Sequence, residues 1–362
     1  HMSKPQFHKL KIGKVKKETA DSVIVSLDVP NELKEQYQFQ AGQYLNFKKI
    51  FQGEEVRRSY SICCSPHENK LCVAIKQVKG GIFSTYANQE MKVGDEIEVM
   101  TPLGAFTTQI DSQNAKKYLA FAAGSGITPI MSLLKTILLK EPNSTFTLIY
   151  GNKNVQSIMF REELEATKNK YQSRFQLIHV LSREQMESDI NNGRINEEKC
   201  GQLFDKAIDI KSFNQFFLCG PEEMIWSVKL YLDKQDVDQT TVHYELFNTD
   251  TKGKNKNTYE EQHKEDKDKV SIITIKVDDR TIEFPLAYGG DKILDAALKH
   301  GADLPYACKG GVCSTCKAKI VEGTVEMEVN YALEPDELEK GFVLTCQSHP
   351  TSERVFVDFD ER

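Results

Sequence analysis

Cys308-Lys-Gly-Gly-Val-Cys313-Ser-Thr-Cys316, answered thirty residues later by the third residue of Leu344-Thr-Cys346-Gln347, decides how the rest of the chain is read. Three thiols on one short loop and a remote fourth give the C-x4-C-x2-C…C spacing by which four thiolates hold a [2Fe-2S] cluster. A structural zinc is the alternative, although zinc modules commonly pair two short C-x2-4-C knuckles and only one such pair stands here. Gly310 and Gly311 favour iron, because a loop curled around sulfides needs inward N–H groups and tolerant φ angles.

A cluster module uses far fewer residues than the 362 present, so the remainder must supply its electrons or take them. That length predicts two or three domains, each with its own core. Hydrophobic residues at 40% and charged residues at 28% describe an ordinary soluble chain. No apolar run reaches the ~18 residues of a membrane span, and the start of the sequence carries no secretory apolar stretch, so no membrane role is expected. Cys63, Cys64, Cys72, Cys200 and Cys219 follow no disulfide framework, which fits a reducing cytoplasm. A net charge of −6 argues against nucleic acid as a partner. Residues 270–362 hold 10 Lys and Arg against 17 Asp and Glu, so the C-terminal module carries the acidity.

Along the chain, residues 3–112 read as short β-rich runs at 23–29, 44–47, 58–63, 71–75 and 96–100, broken by Pro, Gly and Asn as in an antiparallel β-barrel. From 113 to 248 the rhythm changes to strands at 118–122, 146–150, 175–181 and 215–219 alternating with helices at 129–139 and 159–170. That alternation predicts a parallel, doubly wound α/β sheet with binding loops at the carboxyl ends of its strands. Residues 249–269 hold twelve charged side chains in twenty-one and no periodicity, and read as a solvated linker. Residues 270–362 then give strands at 270–277, 281–286, 318–321 and 355–359 with helices at 292–300 and 335–340, an α+β module.

Four further stretches carry chemistry. Arg58-Ser59-Tyr60-Ser61 offers a guanidinium for a pyrophosphate, a phenol ring to lie on an aromatic cofactor and a hydroxyl for a ring nitrogen; alone, such a stretch is usually an alternating strand surface. Gly80-Gly81-Ile-Phe83-Ser84-Thr85 is a second phosphate-friendly stretch at a helix start. Gly124-Ser-Gly126-Ile-Thr128-Pro129 departs from the G-x-G-x-x-G dinucleotide fingerprint, yet glycines at a strand-to-helix turn with Pro at the first helical position suit a pyrophosphate; a tight structural turn is the plainer reading. Cys219-Gly220-Pro221 ends a strand where ligands bind, although buried cysteines ordinarily pack. Ser182-Arg183 follows a strand and pairs a hydroxyl with a cation, as a ribose 2′-phosphate requires or as a solvated surface provides.

Arg58-x-Tyr60-Ser61, Gly124-x-Gly126-x-Thr128-Pro129 and Cys219-Gly220-Pro221, in that order, resemble the ferredoxin–NADP reductase superfamily. Joined to a plant-type ferredoxin they resemble the reductase components of bacterial multicomponent oxygenases, the phenylacetyl-CoA epoxidase reductases above all. Gly42-Gln43, Phe247-Asn248-Thr249 and the stretches 54–58, 147–152, 302–311 and 330–337 share that likeness. The resemblance implies an FAD barrel, an NADPH-binding α/β domain and a β-grasp [2Fe-2S] domain. By it Arg58 holds the FAD pyrophosphate, Tyr60 stacks on the isoalloxazine and Ser61 bonds near N5, with Ser59 in the same cofactor-binding stretch, while Gly81, Phe83 and Ser84 line the rest of FAD. Gly124, Gly126, Gly220 and Pro221 join the coenzyme site in which Thr128 and Cys219 face the nicotinamide, and Glu245 and Phe247 lie near the flavin; Ser182 and Arg183 keep the 2′-phosphate role read from the residues themselves. Ser61, Cys219 and Glu245 become the catalytic candidates, and Cys308, Cys313, Cys316 and Cys346 the cluster ligands.

The expected activity is electron transfer from NADPH through FAD and the cluster to the oxygenase component of a multicomponent monooxygenase, most closely the epoxidase of phenylacetate degradation. The alternatives are a reductase for another di-iron or Rieske oxygenase, or a zinc-stabilised nucleotide-binding interaction protein with no redox role. Colour separates them: a yellow-brown protein bleached by NADPH fits the first two, a colourless one the last.

Overall fold

A computed structural model describes residues 5–204, 208–247 and 269–361. All of the expected linker except Lys269 lies outside the described residues. The chain divides into two compact units, one of residues 6–247 and one made of the C-terminal residues.

The first unit opens with strands β1 (Phe7–Thr19), β2 (Ser22–Asp28), β3 (Tyr44–Phe51), β4 (Glu54–Ser61) and β5 (Leu71–Lys76), helix α1 (Ile82–Gln89) and strand β6 (Glu96–Met100). They pair antiparallel in the order β4-β3-β6-β1-β2-β5. The two edges meet where Ile62 bridges Val73 and the Cys63 N–H donates to the Cys72 carbonyl at 3.0 Å, which closes the expected barrel. Alternation explains the filling: Val23, Val25 and Leu27 of β2 point inward with Leu10, Ile12, Leu45, Phe47 and Val99, and Phe83 of α1 plugs the interior. Strand β1 hides this alternation among lysines and is bent at Gly13, where a Cβ would run into the Asp28 carboxylate.

The unit continues with β7 (Lys117–Ala123), α2 (Ile127–Lys140), β8 (Thr145–Asn152), α3 (Arg161–Tyr171), β9 (Phe175–Leu181), α4 (Glu197–Leu203), β10 (Gln215–Gly220), α5 (Glu222–Lys234) and β11 (Val242–Leu246). All pairings are parallel, in the order β11-β10-β7-β8-β9. The chain winds outward from β7 to β9, then crosses back to β10, so the switch point lies between β7 and β10, where such sheets bind ligands. Helix α2 buries eleven of its fourteen residues. Each fully buried Ile or Leu there is worth about 1.5–3 kcal/mol. Its few polar groups tie it to the barrel: Ser132 Oγ donates to the Cys64 carbonyl at 2.6 Å, Thr136 Oγ1 lies 2.9 Å from Ser65 Oγ, and Lys135 Nζ stands 2.8 Å from Glu68.

The second unit comprises β12 (Val270–Val277), β13 (Arg280–Ala287), α6 (Ile293–Lys299), β14 (Lys317–Glu322), β15 (Val325–Met327), α7 (Pro335–Glu339), β16 (Phe342–Leu344), β17 (Ser348–Pro350) and β18 (Arg354–Asp358). Its sheet runs β13-β12-β18-β14-β16, with β12 and β18 parallel and the remaining neighbours antiparallel. The hairpin between β12 and β13 turns on Asp278 and Asp279, both left-handed at φ 52° and 54°, a conformation that aspartate tolerates. Helix α6 lays Ile293, Leu294, Ala296 and Ala297 in a core shared with Ile273, Ile275, Phe284, Val355 and Val357. This is the β-grasp arrangement expected of residues 270–362.

Candidate coenzyme crevice and thiol loop

At the switch point the parallel register sets Cys219 beside Ala122 of β7 and Glu245 of β11. Gly126 must be glycine, because a Cβ there would fall on the Cys219 carbonyl and within 2.8 Å of the Gly220 nitrogen. Gly124 differs: its φ of +55° needs glycine, but a Cβ would meet only Lys76 Nζ, at 4.0 Å, so the turn is an open cradle. Tyr150 Oη donates to the Gly124 carbonyl at 3.0 Å and Thr128 Oγ1 to the Ser125 carbonyl at 3.0 Å. Both fix the turn, and Thr128, at 2% exposed, does so from inside. Helix α2 carries neither a side-chain cap nor an acid in its first turn, which suits an anion at that end. Gly220 packs against Ala123, and Pro221 stands at the N-cap of α5.

From the barrel, Ser61 at the end of β4 reaches across and donates to Glu245 Oε1 at 2.8 Å. Burial pushes the Glu245 carboxyl up to about 7, with the Ser61 hydrogen bond opposing, and burial followed by the Glu245 charge raises the Cys219 thiol well above its ordinary value. The structure therefore brings Ser61, Glu245 and Cys219 to one place. Tyr60, half-buried on the same strand, leans on Phe83 at 5.7 Å and Phe47 at 5.8 Å between ring centres, and burial raises its phenol. Arg58 is exposed and its Nη1 donates to the Arg57 carbonyl at 2.7 Å. Ser59 lies on the other face of the strand, donating to Asn46 Oδ1 at 2.6 Å.

Gly81 forms the N-cap of α1, and Ser84 Oγ accepts the Val78 N–H at 3.0 Å, pinning the glycine loop. Helix α1 has no side-chain cap and no acid in its first turn, so its free N–H groups can receive a phosphate. Phe83 is fully buried in the barrel, and Phe247 packs half-buried against the main core. Ser182 and Arg183 stand apart, past β9 on the outer side of β8: their N–H groups bond the Asn152 and Lys153 carbonyls at 3.0 and 2.8 Å and the Arg183 side chain is exposed. They share the carboxyl edge with the crevice without touching it.

In the second unit Cys313, Cys316 and Cys346 are 5%, 2% and 2% exposed and Cys308 is half-buried. Sulfurs 308 and 313 lie 3.2 Å apart, and the Gly310 N–H donates to Cys308 Sγ at 3.3 Å. Gln347 Nε2 donates to the Lys309 carbonyl at 3.0 Å and to Cys346 Sγ at 3.5 Å. The glycine expectation needs correction at one position. Gly311 does take a left-handed φ of +74°, with Val329 Cγ2 only 2.9 Å from where a Cβ would sit, but the other left-handed residue is Lys309 at +51°, not Gly310. Among the described residues no three His, Cys, Asp or Glu side chains are spaced as a single bound ion requires. The fit to a cluster rests on the donor set, four soft thiols faced by N–H donors.

Sequence reasoning passed over Gln347, Asn46 and the Ser132/Thr136 pair. Ser132 and Thr136, four apart on the buried side of a largely apolar helix, are the available signal; nothing local marks Asn46, whose partners come from other strands.

Comparison with known proteins gives three matches to family models: an oxidoreductase FAD-binding domain at residues 9–108, an oxidoreductase NAD-binding domain at 121–229 and a 2Fe-2S iron-sulfur cluster binding domain at 275–351. The chain is 45% identical to a subunit of the 1,2-phenylacetyl-CoA epoxidase of Escherichia coli (strain K12) over 98% of each chain. It is 30% identical to the 3-ketosteroid-9-alpha-monooxygenase ferredoxin reductase component of Rhodococcus rhodochrous over 97% of this chain and 96% of that one. Among solved structures, phthalate dioxygenase reductase matches with a TM-score of 0.56 at 22% identity, covering 98% of each chain.

Proposed function

Since this chain belongs to the same family as that Escherichia coli epoxidase component, and is an electron-transfer reductase with FAD, NAD(P)H and [2Fe-2S] modules, we propose that it supplies electrons from NADPH to the oxygenase of a phenylacetyl-CoA epoxidase. The 45% identity to the epoxidase component, against 30% to a ketosteroid monooxygenase reductase, favours this acceptor. FAD held in the barrel would supply acceptance of electrons in pairs, and a [2Fe-2S] cluster held by the four thiols would supply their release singly.

The observation that carries the reading is the Ser61–Glu245 hydrogen bond of 2.8 Å, which joins the flavin strand of the barrel to the coenzyme crevice of the sheet. In this reading Arg58 and the N-terminus of α1 hold the FAD phosphates, Tyr60 covers one face of its ring and Ser61 fixes the ring edge. The Gly124–Gly126 turn and Cys219-Gly220-Pro221 hold the coenzyme, with Cys219 excluding water from its reacting face. Arg183 binds the 2′-phosphate beside Ser182, and Cys308, Cys313, Cys316 and Cys346 bind the iron.

The test is reconstitution. Full-length protein mixed with NADPH and the oxygenase components of a phenylacetyl-CoA epoxidase should support ring epoxidation of phenylacetyl-CoA, and the oxygenase components of a ketosteroid hydroxylase should receive electrons far more slowly. Equal rates with both, or none with the first, would reject the assigned acceptor.

A further inference from the structure

Among the thiols of the first unit that the electron path does not use, Cys63, Cys64 and Cys72, at 2%, 0% and 4% exposed, stand together. They lie at the seam where the barrel closes. Because Ile62 bridges Val73 in antiparallel register, Cys63 stands directly opposite Cys72, with the Cys63 N–H on the Cys72 carbonyl at 3.0 Å and the two sulfurs 3.7 Å apart. We propose that Cys63 and Cys72 are a peroxide-oxidised dithiol, a modification site that turns the reductase down.

A disulfide needs the sulfurs at ~2.05 Å, and residues facing each other across antiparallel strands can reach it once the seam tightens. Of the three thiols Cys72 is the one whose surroundings favour the thiolate. The hydrogen bond from Cys63 and then that from Cys64 hold it well below the ordinary thiol value against burial, helped by the Lys70 and Lys135 charges, while Cys63 and Cys64 are held above theirs. The seam lies just beneath the surface: Cys64 Sγ donates to the Lys70 carbonyl at 3.2 Å, at the end of a surface turn whose His67, Asn69 and Lys70 are exposed. The chemistry balances. The Cys72 thiolate attacks one peroxide oxygen, the O–O bond breaks and the departing hydroxide takes a proton, leaving a sulfenic acid; the Cys63 thiol then displaces water from that sulfur, so two thiols and one peroxide give one disulfide and two waters.

The seam connects to both halves of the crevice. Cys63 follows Ser61 by two residues, and the Cys64 carbonyl receives Ser132 of α2, the helix that begins at the coenzyme turn. Tightening the seam therefore shifts the strand end that orients Ser61 and the helix that orients the coenzyme, and small displacements of such groups slow the reaction strongly.

The experiment treats the full-length holoprotein with hydrogen peroxide, blocks remaining thiols with an alkylating agent and maps peptides by mass, while NADPH–ferricyanide turnover is followed in parallel. The expected result is a Cys63–Cys72 cross-link, lighter by two hydrogens and absent after dithiothreitol, with turnover falling several-fold and returning on reduction. Cys63→Ala and Cys72→Ala should keep the untreated rate and lose the peroxide response. Alkylation of both residues after peroxide, a cross-link to any other cysteine, a cross-link without loss of turnover, or an equal peroxide loss in both variants would each overturn the proposal. The activity arm rests on the reductase reading above, whereas the mass arm does not: protein inert toward NADPH before peroxide would fail that reading and leave the cross-link to be decided by mass.

Discussion

The thiol loop and the coenzyme crevice are built in opposite ways. Three of four sulfurs sit within nine residues, and a single remote cysteine completes the set. The crevice instead joins Ser61 to Glu245 across 184 residues, through a barrel seam, a helix and a five-stranded parallel sheet. A site made by one loop states its chemistry in its spacing. A site made by register states only its parts, and the contact exists when two folded layers meet.

The sharpest way to break this comparison is to remove one sulfur. Cys316, 2% exposed, is expected to be indispensable to the cluster, so Cys316→Ser should lose bound iron and sulfide and abolish electron delivery to the oxygenase. Turnover with ferricyanide, which the flavin can reduce directly, should stay within about twofold if the two sites are energetically independent. Ferricyanide turnover lost together with iron would show that the local site supports the distant one.

The complementary variant is Ser61→Ala. It leaves the barrel strand in place and removes the one hydroxyl that bonds Glu245, so flavin content should hold while anaerobic flavin reduction by NADPH slows by about a hundredfold, the scale of a misplaced reacting group. Unchanged stopped-flow traces would reduce the contact to packing.

What was legible in the sequence follows the same division. The cysteine spacing, the parallel strands at 175–181 and the β12 run at 270–277 emerge where read, because each signal is contained in its own few residues. Strand β1 escaped individual assignment because its lysines dilute the alternation, and β11 because five residues carry little period; α5 does carry a helical period, at Met224, Ile225, Val228, Tyr231 and Leu232, that was passed over. Ser59 matched the motif but bonds Asn46, its cross-strand partner, since alternation sets it on the face opposite Arg58 and Tyr60. Gly310 was a candidate for the left-handed φ that Lys309 takes instead, and the Lys309 carbonyl accepts from Gln347 Nε2, thirty-eight residues away, a contact that no local glycine signals.

Arg183 tests the edge of the crevice. Its side chain is exposed beyond β9, so only the coenzyme phosphate should reveal its role. A charge-assisted contact of about 1.5–3 kcal/mol corresponds to roughly ten- to a hundredfold in affinity, and Arg183→Ala should raise KM for NADPH on that scale while NADH is nearly unaffected. Equal losses with the two coenzymes would mean that Arg183 does not read the phosphate.

The smallest expected effect concerns the proton that the crevice retains. Glu245 has its carboxyl raised by burial from 4.5 to about 7, so between those values the folded state holds a proton that the unfolded chain has released. Stability from that proton is complete below the unfolded value and is lost as pH rises through 7, the reverse of an ion-paired carboxylate. Glu245→Gln carries no such proton, so thermal scans of the holoprotein should show the wild type losing ground to the variant from about pH 5 to about pH 8, by roughly 2–4 °C for each kcal/mol in a unit of this size. Ser61→Ala should push the window to still higher pH, because the hydrogen bond that lowers the carboxyl value is gone. Parallel curves for wild type and Glu245→Gln would mean that the carboxyl titrates as an ordinary surface acid, and the crevice would then lack the electrostatic character that separates it from the thiol loop.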